Sequence, residues 1–436
     1  MNATLASSAA RRAAAALRRH AGRPAARVVT GSIVGQGLVV AASPAITRLY
    51  GPADLGALAV VTALSSVVGA VAPLGWDRAI VVPRGETAAR LLVASALVSV
   101  LVLSTAATVV AFLCREQLAD LTGTQVLADA WWVCPVTVAL VATQRVVTAW
   151  AARRRDYRGL ARRNVLQGVG QVVCNLSLAP LGGSLGLVLG VAAGRLAALG
   201  GAAAGRGRSR RAAPVLRRGA MRAVIVRYRR FPLVSTWSSL VNVAGQQAPI
   251  VLLAAAHGSA TLGGVALTLR VLGAPVGMVA DAVGLQVEGQ LGALVRARQG
   301  DLRGSVRRAV ARLTVVAVVV AVLVAAVAPS VFPVVFGGAW AGSGAVASIM
   351  VPAFAAQVVV SPFSRLLPLL ERQGTQLAWD LGRFAATAGA IVVTGLAGAD
   401  LVVSLAAWSG ASLLSYAVLL LLVDRAVTRH TADWPA

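Results

Sequence analysis

The sequence predicts an all-α polytopic membrane protein with twelve transmembrane helices in two six-helix lobes, and three observations support this prediction. The composition is strongly apolar: 58% of the 436 residues are hydrophobic and 13% are charged, whereas about a quarter of the residues of soluble proteins are charged. Apolar runs of about 20 residues, enough to cross a ~30 Å hydrocarbon core, recur along the whole chain. The arginines concentrate in alternate connections between these runs.

Twelve apolar windows are long enough to span a bilayer. They cover residues 28–46, 55–74, 88–113, 130–150, 165–181 and 184–204 in the first half, and 231–256, 262–284, 310–328, 345–367, 376–396 and 401–423 in the second. The connections are short on both sides, and the longest outer one is 114–129. This leaves no room for a soluble catalytic domain, so enzymatic activity is not expected.

The distribution of charge predicts that both termini are cytoplasmic. With that assignment, the outer connections hold two arginines, Arg48 and Arg115, against five acidic residues, and the other connections hold the basic excess. Positive loops are retained in the cytoplasm. The predicted organisation is a cytoplasmic basic arm (1–27), an N-terminal lobe (28–204), a basic cytoplasmic linker (205–230), a C-terminal lobe (231–423) and a cytoplasmic tail (424–436). The expected location is the cell membrane.

The net charge of +26 and the pI near 11.9 would suit a nucleic-acid-binding protein, but the position of the arginines argues against one. The most basic stretch, 206–230, contains no acidic residue and lies between two apolar runs. Arginines beside a membrane surface attract anionic lipid headgroups. We therefore expect membrane lipids, and not nucleic acid, as the partner of this charge.

A short repeat links the two halves. Residues 51–59 (GPADLGALA) align without gaps on residues 258–266 (GSATLGGVA), at an offset of 207 residues. Both copies lie between the first and second predicted spans of their half. Two halves in the same orientation form a parallel repeat, which in many transporters places the substrate site between the lobes near the midplane.

Ionisable residues inside spans are the first site candidates, because burying them is costly unless they serve a polar interior. Arg145, Arg195, Arg270 and Arg383 lie well inside their windows, and we rank Arg270 first because it lies too deep for simple snorkelling. Arg48 lies at a span end, where snorkelling is the simpler explanation.

Two carboxylates are candidates for ion coupling, with H⁺ or Na⁺ as the coupling ion. They are Asp281 in the eighth window and Asp380 in the eleventh. Each has a structural alternative. Asp281 can cap a helix at the interface, and Asp380 can form a neutralising pair with Arg383 at spacing i, i+3.

Polar uncharged residues form two groups within the spans. Asn242, Gln246 and Gln247 lie in the seventh window, and Gln167, Gln171 and Asn175 recur at i, i+4 and i+8 in the fifth. A single amide is explained by bonding between helices, whereas a row of three indicates a face that lines a wet cavity, where sugar hydroxyls could bind. No metal-ligand spacing, phosphate-binding loop or nucleophile motif occurs, so neither a metal nor a cofactor is expected.

Residues 47–56 (TRLYGPADLG) and 77–83 (DRAIVVP) resemble the opening signature of bacterial polysaccharide exporters, the Wzx-like lipid-linked oligosaccharide flippases. The second half agrees at five places: 231–233 (FPL), 247–249 (QAP), 269–275 (LRVLGAP), 361–362 (SP) and 379–381 (WDL). The family is similar to multidrug and lipid II exporters, which have twelve or more helices in two lobes.

The resemblance implies export of an undecaprenyl-pyrophosphate-linked oligosaccharide to the outer leaflet by alternating access, for O-antigen, capsule or exopolysaccharide assembly, with a polysaccharide polymerase as a further partner. Arg48, Arg270, Gln247, Pro249 and Pro275 match the family pattern. At Gln246 the family often has a basic residue, and this chain departs from it.

Two alternatives remain open from the sequence. An ion-coupled multidrug or metabolite antiporter would share the fold. A membrane polymerase or glycosyltransferase would need a larger outer loop.

Overall fold

The computed structural model describes residues 28, 30–204, 218–297 and 301–432, and this part of the chain is helical without a strand. The predicted basic arm 1–27 and residues 205–217 of the predicted linker lie outside it. The N-terminal lobe contains the long helices α1 Thr30–Leu49, α2 Pro52–Val71, α3 Glu86–Leu113, α4 Val133–Arg153, α5 Tyr157–Ser177 and α6 Gly183–Ala204.

The C-terminal lobe contains six further long helices. They are α7 Phe231–His257, α8, α9 Leu302–Phe336, α10 Ala341–Ser364, α11 Gln373–Leu396 and α12 Leu401–Thr431. Helix α8 is composed of Ser259–Thr268, a π-helical segment Leu269–Gly273, and Ala274–Ala297. Shorter helices connect these elements, among them Arg218–Tyr228, which leads into α7.

Ten of the twelve long helices in the described part are apolar enough to cross a membrane by length and composition. The other two are α5 and α11, which carry arginines, amides and Asp380 within their length. Each is the fifth helix of its lobe, and each packs along the sixth. The two lobes therefore place their most polar helix at the same point in the chain order.

Acidic caps set where several helices begin. The Asp156 carboxylate accepts a hydrogen bond from the Gly159 backbone N–H at 2.8 Å, and α5 consequently begins at Tyr157. Asp301 caps α9 in the same way. Side chains that accept from the free N–H groups of the first turn stabilise a helix start by about 1 kcal/mol. These caps extend α5 and α9 toward the predicted cytoplasm, beyond their apolar windows.

The outward face of α9 is apolar over several turns. The exposed fractions of Val315, Val319, Val322 and Leu323 are 62–64%. A solvated helix would carry polar residues at such positions, whereas hydrocarbon accepts valine and leucine. The exposed side of α9 therefore fits a lipid environment.

The buried cores are distributed unequally between the two ends of the bundle. The largest core joins both lobes at the predicted outer end and includes Ile46, Leu55, Leu262 and Trp340. Toward the predicted cytoplasmic end each lobe has a separate core, around Trp76 in the first and around Phe363 in the second. The largest core is thus shared by the lobes at the predicted outer end, and at the other end α7 reaches the core around Trp76 through Phe231.

The repeat detected in the sequence forms part of the contact between the lobes. Helices α2 and α8 approach so closely that a methyl group on Gly56 would overlap the Ser259 carbonyl, and one on Gly263 would overlap the Pro52 carbonyl. Gly56 and Gly263 are 207 positions apart, as are Pro52 and Ser259, so the two contacts are reciprocal. Only glycine permits this approach of two backbones. We call this pair of contacts the glycine contact.

Candidate functional site

A cavity of about 590 Å³ lies within the N-terminal lobe, between the end of α2, α4, α5 and α6. Its wall contains four arginines, Arg78, Arg145, Arg163 and Arg195, and one carboxylate, Asp77. Val243 of α7 contributes from the other lobe. We call this cavity the arginine chamber. Its described lining residues carry a formal excess of three positive charges, four arginines against one aspartate.

Asp77 neutralises one of these arginines. The Arg145 guanidinium lies 3.1 Å from the Asp77 carboxylate and donates to it through Nε at 3.2 Å. Asp77 is buried, in the short helix Trp76–Ala79 that follows α2. The left-handed backbone at Gly75, with φ +67°, turns the chain from α2 into this helix. Arg145, which the sequence predicts as a binding residue, therefore reaches the chamber as half of an ion pair.

Arg163 and Arg195 are held by neutral groups. Arg195 donates to the Gln144 amide oxygen at 2.9 Å, and its buried Nε has no hydrogen-bond partner within the described chain. Arg163 donates to the Asn164 amide oxygen at 2.7 Å and to the Thr148 hydroxyl. Amides and hydroxyls orient a guanidinium without cancelling its charge. Two oriented arginines therefore keep their positive charge available to an anionic ligand.

A second cavity, of about 540 Å³, lies between the lobes, and we call it the inter-lobe chamber. Most of its wall comes from the C-terminal lobe, with Gln36 of α1 on the opposite side. Gln246, Gln247, Gln357 and Arg383 supply further polar side chains. Such a mixture of a cation with amide groups is suited to a polar ligand that also carries negative charge.

The predicted residues of α7 have different environments. Gln246 and Gln247 both line the inter-lobe chamber. Asn242 is exposed one turn earlier and accepts a hydrogen bond from Gln246 at 2.9 Å, which orients that amide. Pro249 is buried inside the same helix. The structure thus brings Gln246 and Gln247 to the cavity wall and leaves Asn242 as their neighbour.

Arg270, which ranks first in the sequence, occupies the π-helical segment of α8. Its Nη1 atom is buried and has no hydrogen-bond partner within the described chain. The flanking Leu269 and Gly273 line the inter-lobe chamber, but Arg270 is not among its lining residues. Short π-helical segments often occur at functional sites. Arg270 is therefore a desolvated cation beside the chamber and not on its surface.

Two further predicted residues, Arg48 and Asp380, are not among the lining residues of either chamber. Arg48 is exposed at the end of α1 and donates to the Pro44 carbonyl at 3.2 Å. Asp380 accepts from the Gln376 amide at 3.3 Å, and the Arg383 guanidinium lies 5.3 Å from the centre of the Trp379 ring. Asp281 belongs to α8, but its side chain is outside the described part of the structure.

The three amides of the predicted row in α5 do not share one environment. Gln167 and Gln171 line a third cavity, of about 300 Å³, between α1 and α5, which we call the amide pocket. Asn175 is fully buried against Gly190 of α6 and lines no part of this pocket. The prediction that a row of amides faces a cavity therefore holds for the first two members only.

Sequence reasoning missed Arg163 and Gln144. Arg163 was assigned to a cytoplasmic connection because the apolar window begins at 165, yet it lies one turn before Gln167 and continues the row of α5 by the same spacing of four. That spacing was a usable signal. Gln144 carries no such signal in the sequence. A single amide beside Arg145 in an apolar helix is as typical of a structural hydrogen bond as of a cavity wall.

The described residues contain no group of three or more His, Cys, Asp or Glu side chains that could hold a metal ion. Apart from the ion-paired Asp77, the polar side chains that line the three cavities are mainly guanidinium, amide and hydroxyl groups. These groups bind oxyanions and hydroxyls.

A family model described as "Polysaccharide biosynthesis protein" matches residues 45–345, which is more than half of the chain. A search of curated protein sequences finds no match.

Several solved structures share the fold. An inward-facing multidrug resistance transporter of the MATE family, of the MOP superfamily, superimposes with a TM-score of 0.73 at 14% identity, over 93% of this chain and 96% of its own. The lipid II flippase MurJ, in an inward closed conformation, superimposes with a TM-score of 0.72 at 10% identity, over 94% of this chain and 89% of its own. A MOP superfamily transporter from Pyrococcus furiosus, described as having a binding pocket of reverse polarity, superimposes with a TM-score of 0.52 at 14% identity, over 94% of this chain and 96% of its own.

These likenesses confirm the predicted all-α, multi-pass membrane architecture. Identities this low support the fold and not a shared substrate. The family model connects the chain with polysaccharide biosynthesis, and its fold is one that membrane transporters share.

Proposed function

The chain belongs to the polysaccharide biosynthesis protein family, and on that premise we propose that it moves a polyprenyl-pyrophosphate-linked oligosaccharide from the cytoplasmic to the outer leaflet. The single observation that carries this proposal is the arginine chamber. Its Arg163 and Arg195 are fixed in orientation by Thr148, Asn164 and Gln144 but are not neutralised by a carboxylate within the described chain.

A pyrophosphate is the part of such a lipid that cannot cross hydrocarbon unaided. Guanidinium groups bind phosphate oxygens through paired, charge-assisted hydrogen bonds, and they remain charged when partly desolvated. In the proposal, Arg163 and Arg195 take the pyrophosphate while the prenyl chain remains in the bilayer. Rocking of the two lobes then exposes the bound headgroup to the other side.

The arrangement of the cores supports entry from the cytoplasm. The lobes share their largest core at the predicted outer end, whereas two smaller cores, around Trp76 and around Phe363, lie toward the predicted inner end. Thr148 and Ala152, near the inner end of α4, line the arginine chamber. A headgroup arriving from the cytoplasmic leaflet would therefore meet the chamber first and the inter-lobe chamber after it.

Arginine replacement tests this role in cells. Arg195→Gln and Arg163→Gln are expected to reduce surface polysaccharide at least tenfold at equal protein level in the membrane, while Arg195→Lys retains part of the activity because it keeps the charge but loses the paired geometry. The matched control is Arg425→Gln, at an exposed position of α12 outside both chambers. Polymer at the control level in both glutamine variants would rule out the anion-binding role.

The ion-coupled antiporter has less support. Of its two candidate coupling acids, Asp380 accepts a hydrogen bond from Gln376 and does not line the inter-lobe chamber, and the side chain of Asp281 is outside the described part of the structure. The polymerase alternative needs a substantial outer domain, whereas the predicted outer connection between α3 and α4 contains two short helices, Arg115–Thr122 and Val126–Asp129.

A further inference from the structure

The amide pocket is a separate cavity from the arginine chamber, and its chemistry is different. It lies where α1 crosses α5 and has Ser32, Gln36, Asn164, Gln167 and Gln171 as its neutral polar side chains. Its volume of about 300 Å³ is at the small end of the range for ligand pockets. A cavity of this size suits a single small polar group better than an oligosaccharide.

Close packing of two helices gives the pocket a fixed floor. A methyl group on Gly35 would overlap the Asn164 carbonyl, and one on Gly168 would overlap the Gly35 carbonyl. The backbones of α1 and α5 are thus in direct contact, and the amides surround that contact. A site on rigid helices holds its hydrogen-bonding groups in constant positions.

The amides of the pocket differ in whether they already form hydrogen bonds within the protein. Asn164 donates to Ser32 at 2.7 Å and accepts from Arg163, so it is occupied. Gln167 accepts from Gln144 at 2.5 Å, which leaves its N–H groups available. Within the described chain, Gln36 and Gln171 make no side-chain hydrogen bond. Each free amide offers a donor and an acceptor side by side, the combination that neighbouring sugar hydroxyls require.

Shared wall residues connect the three cavities in order. Arg163 lines both the arginine chamber and the amide pocket. Gln36 lines both the amide pocket and the inter-lobe chamber. The three cavities therefore adjoin in the order arginine chamber, amide pocket, inter-lobe chamber.

We propose that the amide pocket binds the sugar ring bonded directly to the pyrophosphate, through Gln36, Gln167 and Gln171. This inference rests on the proposed function, and it adds a subsite for the first sugar. The remaining sugars occupy the inter-lobe chamber. The transporter thereby distinguishes a sugar-bearing lipid from the bare prenyl pyrophosphate, which is the carrier without cargo.

The test compares two classes of probe on the full-length protein in lipid nanodiscs. One probe is undecaprenyl pyrophosphate, and the others carry a single N-acetylglucosamine or a single galactose on it. The wild type is expected to bind at least one sugar-bearing probe about tenfold more tightly than the bare lipid, since one or two hydrogen bonds contribute a factor of this size. Gln171→Leu and Gln36→Leu are expected to abolish this difference and leave the affinity for the bare lipid unchanged.

Controls separate this inference from the proposed function. Gln125→Leu, an exposed glutamine of the predicted outer connection, should preserve the preference for sugar. Arg195→Gln should weaken all probes alike. If the wild type shows no preference, or if the glutamine variants change all affinities equally, the sugar subsite is wrong while pyrophosphate binding stands. If Arg195→Gln changes no affinity, pyrophosphate binding itself is wrong.

Discussion

Asp77 is the carboxylate that limits the positive charge of the arginine chamber. Its side chain is 9% exposed, and that of its partner Arg145 is 31% exposed. Removing one member of a largely buried pair leaves the other without compensation, which is more damaging than removing both.

We therefore expect Asp77→Asn and Arg145→Gln each to lower the free energy of unfolding by about 1–3 kcal/mol. This range is below that of fully buried pairs because Arg145 is partly exposed. The double variant should recover most of that loss. The measurement is thermal unfolding of the detergent-solubilised protein. Additive losses in the double variant would mean that the two residues act independently.

Arg270 gives a second prediction at the scale of a residue. Its buried Nη1 has no partner in the described chain, and an uncompensated cation destabilises a fold. Arg270→Met is expected to keep or raise the thermal stability, because it removes a buried charge and leaves an apolar side chain of similar length. A clear fall in the melting temperature of the purified variant would mean that Arg270 has a stabilising partner.

At the scale of the helix, apolar windows located the spans well, and their ends were set by interactions that hydropathy does not measure. Eight residues precede the predicted window in α5, which begins at Tyr157 behind the Asp156 cap and not at 165. The arginines at 158, 162 and 163 lowered the hydropathy there. As a result, the sequence predicted a connection where the structure has the first turns of a helix.

The candidate site was only partly predictable for the same reason. Arg145, Gln171, Gln246 and Gln247 were singled out because each is polar within an apolar window, and each lines a cavity. Which arginine is neutralised depends on Asp77, which lies in another helix 68 residues away. Contacts of this kind follow from the packing of helices, and a single sequence does not contain them.

The glycine contact gives a prediction at the scale of helix pairs. Gly56→Val or Gly263→Val places a side chain where the two backbones touch, and overpacking of this kind costs about 1–3 kcal/mol. We expect α2 and α8 to separate at the predicted outer end. A single cysteine at Gln357 in the inter-lobe chamber, in a variant without the three native cysteines, should then react with an impermeant maleimide added from outside.

The matched control for this experiment is Gly389→Val. Gly389 is also a helical glycine, but a side chain there would enter open space, so labelling at 357 should stay low. Equal labelling in the parent, the control and the Gly56 variant would mean that the glycine contact does not close the outer end.

At the scale of the whole molecule, charge and packing both support the proposed direction of transport. The chamber with excess positive charge lies toward the predicted cytoplasmic ends of α4 and α5, and the core shared by the lobes lies at the opposite end. A negatively charged headgroup made in the cytoplasm would thus find an open, basic cavity. Reversing the access would require this shared core to rearrange.

The most direct measurement of the central claim is transbilayer movement in proteoliposomes that contain the purified protein and a fluorescent undecaprenyl-pyrophosphate-linked oligosaccharide. We predict that the wild type moves the lipid at least tenfold faster than protein-free vesicles, and that the Arg163→Gln/Arg195→Gln variant returns the rate to that background. The account would be contradicted if the wild type gave no acceleration, or if the double variant moved the lipid as fast as the wild type.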